Sequence, residues 1–150
     1  MDKVYRSYLC SRYVIEAGGI QSEISYPYNA TDGSCKFDNT KIAAKIKSYE
    51  YSEPKGDEDA LVKTVAEIGP VSTSINATGI KHYKSGVYDG EGCSNTEHSS
   101  SHSVLIVGYS PDYWIIKNSW GVDWGEDGYI RFARGLNVCG LAWKPAYPIA

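Results

Sequence analysis

The sequence has little of what marks several common classes of protein. It has no long apolar run. The longest clean one is Val104-Leu105-Ile106-Val107, far short of the roughly 20 residues that cross a bilayer as a helix. Its first ten residues, MDKVYRSYLC, hold no apolar block of the signal-peptide kind. Positive charge is not in excess: 15 Lys and Arg stand against 18 Asp and Glu, for a net charge of −3. That balance argues against nucleic acid or an anionic membrane as a partner. The four cysteines include no CxxC pair, which disfavours a zinc ribbon or a thioredoxin-like redox site. There is no HExxH and no GxSxG, so two common hydrolase signatures are missing. Low-complexity tracts, internal repeats and linkers are absent as well.

What is present suits one globular domain. A chain of 150 residues can bury a real core, and thirteen tyrosines with four tryptophans lean towards β structure. Four cysteines suit one or two disulfides in an oxidising compartment. N-x-T sequons at Asn29 and Asn76 point to the same compartment. Val4, Tyr8, Leu9 and Val14 predict a helix over 3–17, stopped by Gly18-Gly19. The stretch ISYPYNATDGSC is turn-rich, and 41–52 alternates like a strand. Asp57 opens a second helix with Leu61, Val62, Val65 and Ile68 as its buried stripe, and Gly69-Pro70 ends it. Short strands are then expected at 71–75, 86–88, 102–109, 113–118 and 128–133. Together they read as an antiparallel sheet or small open barrel preceded by helices.

The chemistry starts from His102 and Asn118. His102 opens one strand, and Asn118 closes the next, across the tight Ser110-Pro111-Asp112 link. A hairpin makes the start of the first strand a neighbour of the end of the second. An asparagine oxygen can then hold one ring nitrogen of the histidine and aim the other outward. Trp120, two residues on, can shield that bond from water. This is the base-and-orienter half of a nucleophilic triad. His98 and His102 are four apart in EHSSSH, but the serines and the following strand disfavour a helical zinc site. No metal and no cofactor are expected.

Several segments together resemble the papain-like cysteine peptidases, most closely the cathepsin L-like branch. They are GGIQSEISYPY, IGPVSTSINA, HYKSGVYDGEGCS, HSVLIVGY, YWIIKNSWGVDWGEDGYIRFAR and CGLAWKPAYP. The resemblance implies an α+β fold: a papain-like right-hand antiparallel β-barrel domain with part of the helical left-hand domain. Residues 1–150 would be a single partial peptidase domain, with about 1–40 the remnant of the helical lobe and about 41–150 the barrel lobe. By the same resemblance His102 is the catalytic histidine, Asn118 its orienting asparagine and Trp120 the shielding indole. Cys93 and Cys139 match a disulfide pair. Ser74, Ser100, Ser101, Trp120 and Lys144 fall where relatives bind substrate, and a lysine at Lys144 would favour an acidic side chain or reject a basic one. Asn29 and Asn76 are the glycosylation candidates, Asn29 the better for lying in a turn.

The resemblance also has gaps. Relatives carry the nucleophile in a segment like QGxCGSCW, and nothing here matches it. Cys10 sits in SYLCSRY, while Cys35, Cys93 and Cys139 match structural positions. The stretch before Gly18 is longer than in relatives, and so is the loop before His102. The expectation is the C-terminal portion of a cathepsin L-like endopeptidase, inactive as an isolated chain. Peptide or protein substrates are expected once a missing N-terminal lobe completes it, in a lysosomal or extracellular setting. The chain alone should associate through its exposed inter-lobe face, and Cys10 and Cys35 could pair by default. A non-catalytic papain-like binding or structural module, silicatein-like or testin-like, is the alternative, and a truncated gene product is another.

Overall fold

The computed structural model describes residues 7–150. They form two compact units: residues 51–147, and residues 8–50 with 148–150.

In the smaller unit, helix α1 (Ser7–Glu16) is followed by strands β1 (Ile20–Gln21), β2 (Ile42–Ala44) and β3 (Ser48–Tyr51), the last ending at the unit boundary. The expected helix over 3–17 is therefore seen from Ser7 onward, and its first residues lie outside the described ones. Gly19 lets the chain turn from α1 into β1. Its φ is +148°, and a Cβ there would lie 2.4 Å from Ile42 Cγ2, so no other residue fits without displacement. The strand expected over 41–52 is two strands. β2 pairs antiparallel with β1, whereas further on the Lys47 N–H donates to Ile149 O at 2.7 Å. One alternating sequence thus serves two different partners, and the change of partner breaks it.

In the larger unit, α2 (Glu58–Ile68) precedes β4 (Val71–Ile75), β5 (Val87–Tyr88), β6 (His102–Tyr109), β7 (Tyr113–Lys117), β8 (Tyr129–Ala133) and β9 (Ala146–Ile149). β9 starts in this unit, and the strand order from it is β9-β4-β6-β7-β8-β5. Asp57 caps α2: its carboxylate accepts from Asp59 N at 2.8 Å and Ala60 N at 3.0 Å. Gly69, with φ 108°, closes the helix by donating to Val65 O. Leu61 and Val65 are buried as the stripe requires. Ile68 is not: it is 48% exposed, because the last turn of α2 runs past the edge of the core.

Alternation along the central strands builds that core. Val104 and Ile106 on β6, Trp114 and Ile116 on β7, and Ile130 and Phe132 on β8 are all buried, as period-two side-chain alternation demands. β4 pairs with β6 from Val71↔Ile106 to Ile75↔His102. β6 pairs with β7 across the Ser110–Asp112 turn, with a register shift between Ile106 and Gly108. The sheet is mostly antiparallel, with one correction to the expected pattern. β5 runs parallel to β8, Val87↔Arg131 and Tyr88↔Phe132. This two-residue strand reaches the far edge of the sheet, where Tyr88 packs on Phe132 with ring centroids 5.7 Å apart.

Candidate active site

His102 is fixed because it is the first residue of β6 and a ladder partner of Ile75. Just before it, the Ser101 N–H donates to Ile75 O at 2.9 Å, and the Ser101 hydroxyl accepts from Ala77 N at 3.1 Å. Asn118 follows the last residue of β7. The final ladder pair is Leu105↔Lys117, so Asn118 does not face His102 directly across the strands. It turns off the ladder, held by its N–H on Gly128 O at 3.0 Å, and its side chain reaches back. Asn118 Oδ1 lies 2.8 Å from His102 Nε2.

The same oxygen accepts the Ser119 N–H at 2.8 Å. That second donor marks the atom as the carbonyl oxygen of the amide, so Nε2 must be the protonated nitrogen. In the neutral ring Nδ1 is then left bare, as a base requires. The other end of the amide is costly: Asn118 Nδ2 is buried with no hydrogen-bond partner among the described residues. A buried unpaired donor costs about 1–3 kcal/mol. The fold carries that cost to keep an oxygen against the imidazole.

Trp120 stacks on the His102 ring with centroids 5.0 Å apart and planes 27° from parallel. It is 40% exposed, so it screens the hydrogen bond from one side only. Trp124 meets Trp120 edge-on at 5.2 Å and donates from Nε1 to Lys81 O at 3.3 Å. The loop carrying both indoles is braced at its far end. Arg131 forks onto Glu126 at 2.9 and 2.6 Å, and Gly86 N donates to the same carboxylate at 2.9 Å. Arg131's hydrogen bonds, helped by the Gly86 N–H, pull the Glu126 carboxyl down to about 2. Beside Trp120 a cleft of about 560 Å³ is lined by Ala77, Thr78, Lys81, Ser101, Trp120 and Trp124.

The structure therefore brings together His102, Asn118, Trp120 and Ser101. It does not bring the other substrate-binding expectations to this cleft. Ser74 is 1% exposed within β4, Ser100 is half-buried before β6, and Lys144 is half-buried ahead of β9. Cys93 and Cys139 form a disulfide, and Cys10 and Cys35 are free and exposed. Asn76 N donates to Cys139 O at 2.8 Å, which ties the end of β4, beside the cleft, to that bridge. Lys81, Ala77 and Thr78 escaped the sequence reading. No local pattern marks them, because the cleft is assembled from three separate segments. The Glu126–Arg131 brace was missed too, although opposite charges flank the GYI strand.

A half-buried imidazole–amide pair under an indole, at the head of a mostly antiparallel sheet, agrees with the family comparison. The profile described as papain family cysteine protease matches residues 7–149. The chain belongs to the papain family. It is 46% identical over 144 residues to cathepsin S of Mus musculus, covering 91% of this chain and 41% of that protein. It is 43% identical over 145 residues to cathepsin L of Sarcophaga peregrina, covering 91% of this chain and 42% of that one. Among solved structures, digestive procathepsin L 3 of Tenebrio molitor larval midgut superposes with a TM-score of 0.87 at 36% identity. That match covers 95% of this chain and 48% of the other. This papain-family chain thus spans about two-fifths of the length of the curated relatives it matches.

Proposed function

We propose that this chain is the C-terminal portion of a cathepsin L-like cysteine endopeptidase and supplies its base and proton donor. The observation that carries the reading is the 2.8 Å contact between His102 Nε2 and Asn118 Oδ1 beneath Trp120. With Nε2–H committed to Asn118, Nδ1 exchanges the proton. It takes one from a cysteine thiol, leaving a thiolate–imidazolium pair. Such pairing can lower the thiol pKa to about 3–4. The thiolate attacks a peptide carbonyl carbon, and Nδ1–H then protonates the departing amine as the C–N bond breaks. Water, losing its proton to the same nitrogen, releases the acyl group. Asn118 keeps the ring in one tautomer and one plane through each transfer.

The thiolate comes from outside the chain's own cysteines. Cys93 and Cys139 are bonded to each other. Neither Cys10 nor Cys35 sits in the glycine-rich, glutamine-preceded setting that the family's nucleophile needs. The isolated chain is thus inactive, works on peptides or proteins once completed, and self-associates until then. The setting is lysosomal or extracellular, in keeping with the disulfide and with the cathepsin relatives.

Co-expression with an N-terminal papain-like lobe tests this. Thiol-dependent peptidase activity should appear only in the pair. His102→Ala should lower kcat by about 10²–10⁴, the usual range for a lost proton-transfer group. Asn118→Ala should lower kcat less and leave KM unchanged. Turnover by the chain alone that His102→Ala abolishes, or a complemented enzyme indifferent to His102→Ala, refutes the reading.

A further inference from the structure

The two sequons play no part in the peptidase reading, and their surroundings are opposite. Asn29 lies exposed on the smaller unit. Its Oδ1 accepts both the Thr31 N–H at 3.2 Å and the Thr31 hydroxyl at 2.9 Å, with Ala30 between them at φ 55°. Both donors of the sequon threonine thus sit on the amide oxygen, and Nδ2 has no partner among the described residues. Next to it is a hollow of about 300 Å³ lined by Glu23, Tyr26, Pro27, Tyr28, Asn29 and Thr31. Its walls are held in place: Tyr28 N donates to Glu23 Oε1 at 2.8 Å, and Lys36 N donates to the Tyr26 hydroxyl at 3.0 Å. Tyr28 is nonetheless 84% exposed, so an aromatic face is presented to solvent beside a free amide.

Asn76 is spent on the fold. It is half-buried; Nδ2 donates to Ser99 O at 2.9 Å, and Oδ1 accepts from Thr78 N at 3.0 Å. A substituent on that nitrogen would have to emerge beside Ala77 and Thr78, which wall the cleft next to Trp120.

We propose that Asn29 carries an N-linked glycan whose first N-acetylglucosamine packs in the Tyr26–Pro27–Tyr28 hollow, and that Asn76 carries none in the secreted chain. In the transfer, Asn29 Nδ2 forms a bond to C1 of a lipid-linked diphospho-oligosaccharide. The bond from C1 to the phosphate oxygen breaks, the lipid diphosphate leaves with the electron pair, and the amide proton passes to a base of the transferase. Nothing is oxidised or reduced. Transfer precedes folding, so the fold acts by selection: a chain modified at Asn76 must bury a glycan stem where Ser99 and Cys139 now pack. At Asn29 the sugar's C–H face gains contact with exposed rings. The proposal is independent of the peptidase reading.

The test is to express residues 1–150 behind an endoplasmic-reticulum leader in secreting eukaryotic cells. Enzymatic deglycosylation in 18O water then marks each modified asparagine as labelled aspartate. In the secreted chain the label should fall on residue 29 and not on residue 76, with any residue-76 label confined to retained chains in the cell lysate. Asn29→Gln and Thr31→Ala should abolish it, and Asn76→Gln should leave it. Trimming the glycan to one N-acetylglucosamine should preserve the melting temperature, complete removal should lower it, and Tyr28→Ser should erase that difference. An unmodified Asn29, a label at residue 76 in the secreted chain, or a Tyr28→Ser chain that still loses stability on deglycosylation overturns the proposal. The mass readout holds even for a variant that folds poorly.

Discussion

The two units differ most in how much apolar surface each closes over. In residues 51–147 three adjacent strands each bury two large side chains, and α2 adds Leu61 and Val65. In residues 8–50 the described side chains include one buried hydrophobic residue, Val14, while Ile24 is 96% and Tyr28 84% exposed. Burial of apolar surface is what offsets the entropy of ordering a chain. The larger unit can therefore hold a histidine in one rotamer. The smaller relies on turns, side-chain hydrogen bonds and aromatic edges such as Tyr13 on Phe37 at 6.4 Å. His102 and Asn118 stand on the unit that is rigid by packing.

The sharpest way to break that contrast is to open a cavity in each unit. Trp114→Ala removes a fully buried indole and its 2.6 Å donation to Glu58. It should cost about 3–5 kcal/mol. Val14→Ala, the matching change in the smaller unit, should cost about 1.5 kcal/mol from the two methyl groups lost. Urea melts with hydrogen exchange would check both. Amides of β6, β7 and β8 should outlast those of residues 20–38 by orders of magnitude. Equal costs, or equal protection, would mean that the smaller unit has a core its exposures do not reveal.

The same contrast explains what could be read in the sequence. Strands β6, β7 and β8 were legible because a half-buried strand writes its period into its own residues. The link between His102 and Asn118 was legible because three residues join their strands, leaving little freedom of register. Even there a bulge between Ile106 and Gly108 shifts the ladder, and Asn118 reaches His102 by leaving it. The exposure of Ile68, the parallel edge strand β5 and the cleft around Lys81 were hidden. Each depends on where distant segments end relative to one another, and no local period encodes that. The Cys93–Cys139 pairing came from resemblance alone, since four cysteines permit three pairings.

An intermediate effect is expected from the brace under the two indoles. Glu126 is held at about 2 by Arg131's hydrogen bonds and the Gly86 N–H, well below its ordinary 4.3 or so when unfolded. A depressed carboxyl contributes stability above its unfolded value and loses it as pH falls towards the folded one. The larger unit should therefore weaken between about pH 4.5 and pH 2, by about 2 kcal/mol after allowance for solvent screening. In Glu126→Gln that part of the acid dependence should vanish, with stability at neutral pH already lowered. Melting temperature against pH for both chains would show it, and an unchanged slope in Glu126→Gln would assign the acid sensitivity elsewhere.

The smallest expected effect compares one kind of cap across the units. Asp57 caps α2, a helix whose inner face is packed, by accepting from two backbone N–H groups. Asp38 accepts from Thr40 N at 2.9 Å and Thr40 Oγ1 at 2.6 Å, at the head of a three-residue turn with no buried side chain. Asp57→Ala should cost about 1 kcal/mol, as lost helix caps do. Asp38→Ala should leave the melting temperature close to wild type, because the turn it caps supports nothing packed. A cap is worth what its element anchors. A destabilisation by Asp38→Ala as large as that by Asp57→Ala would show that the turn at 39–41 anchors more of the smaller unit than its burial suggests.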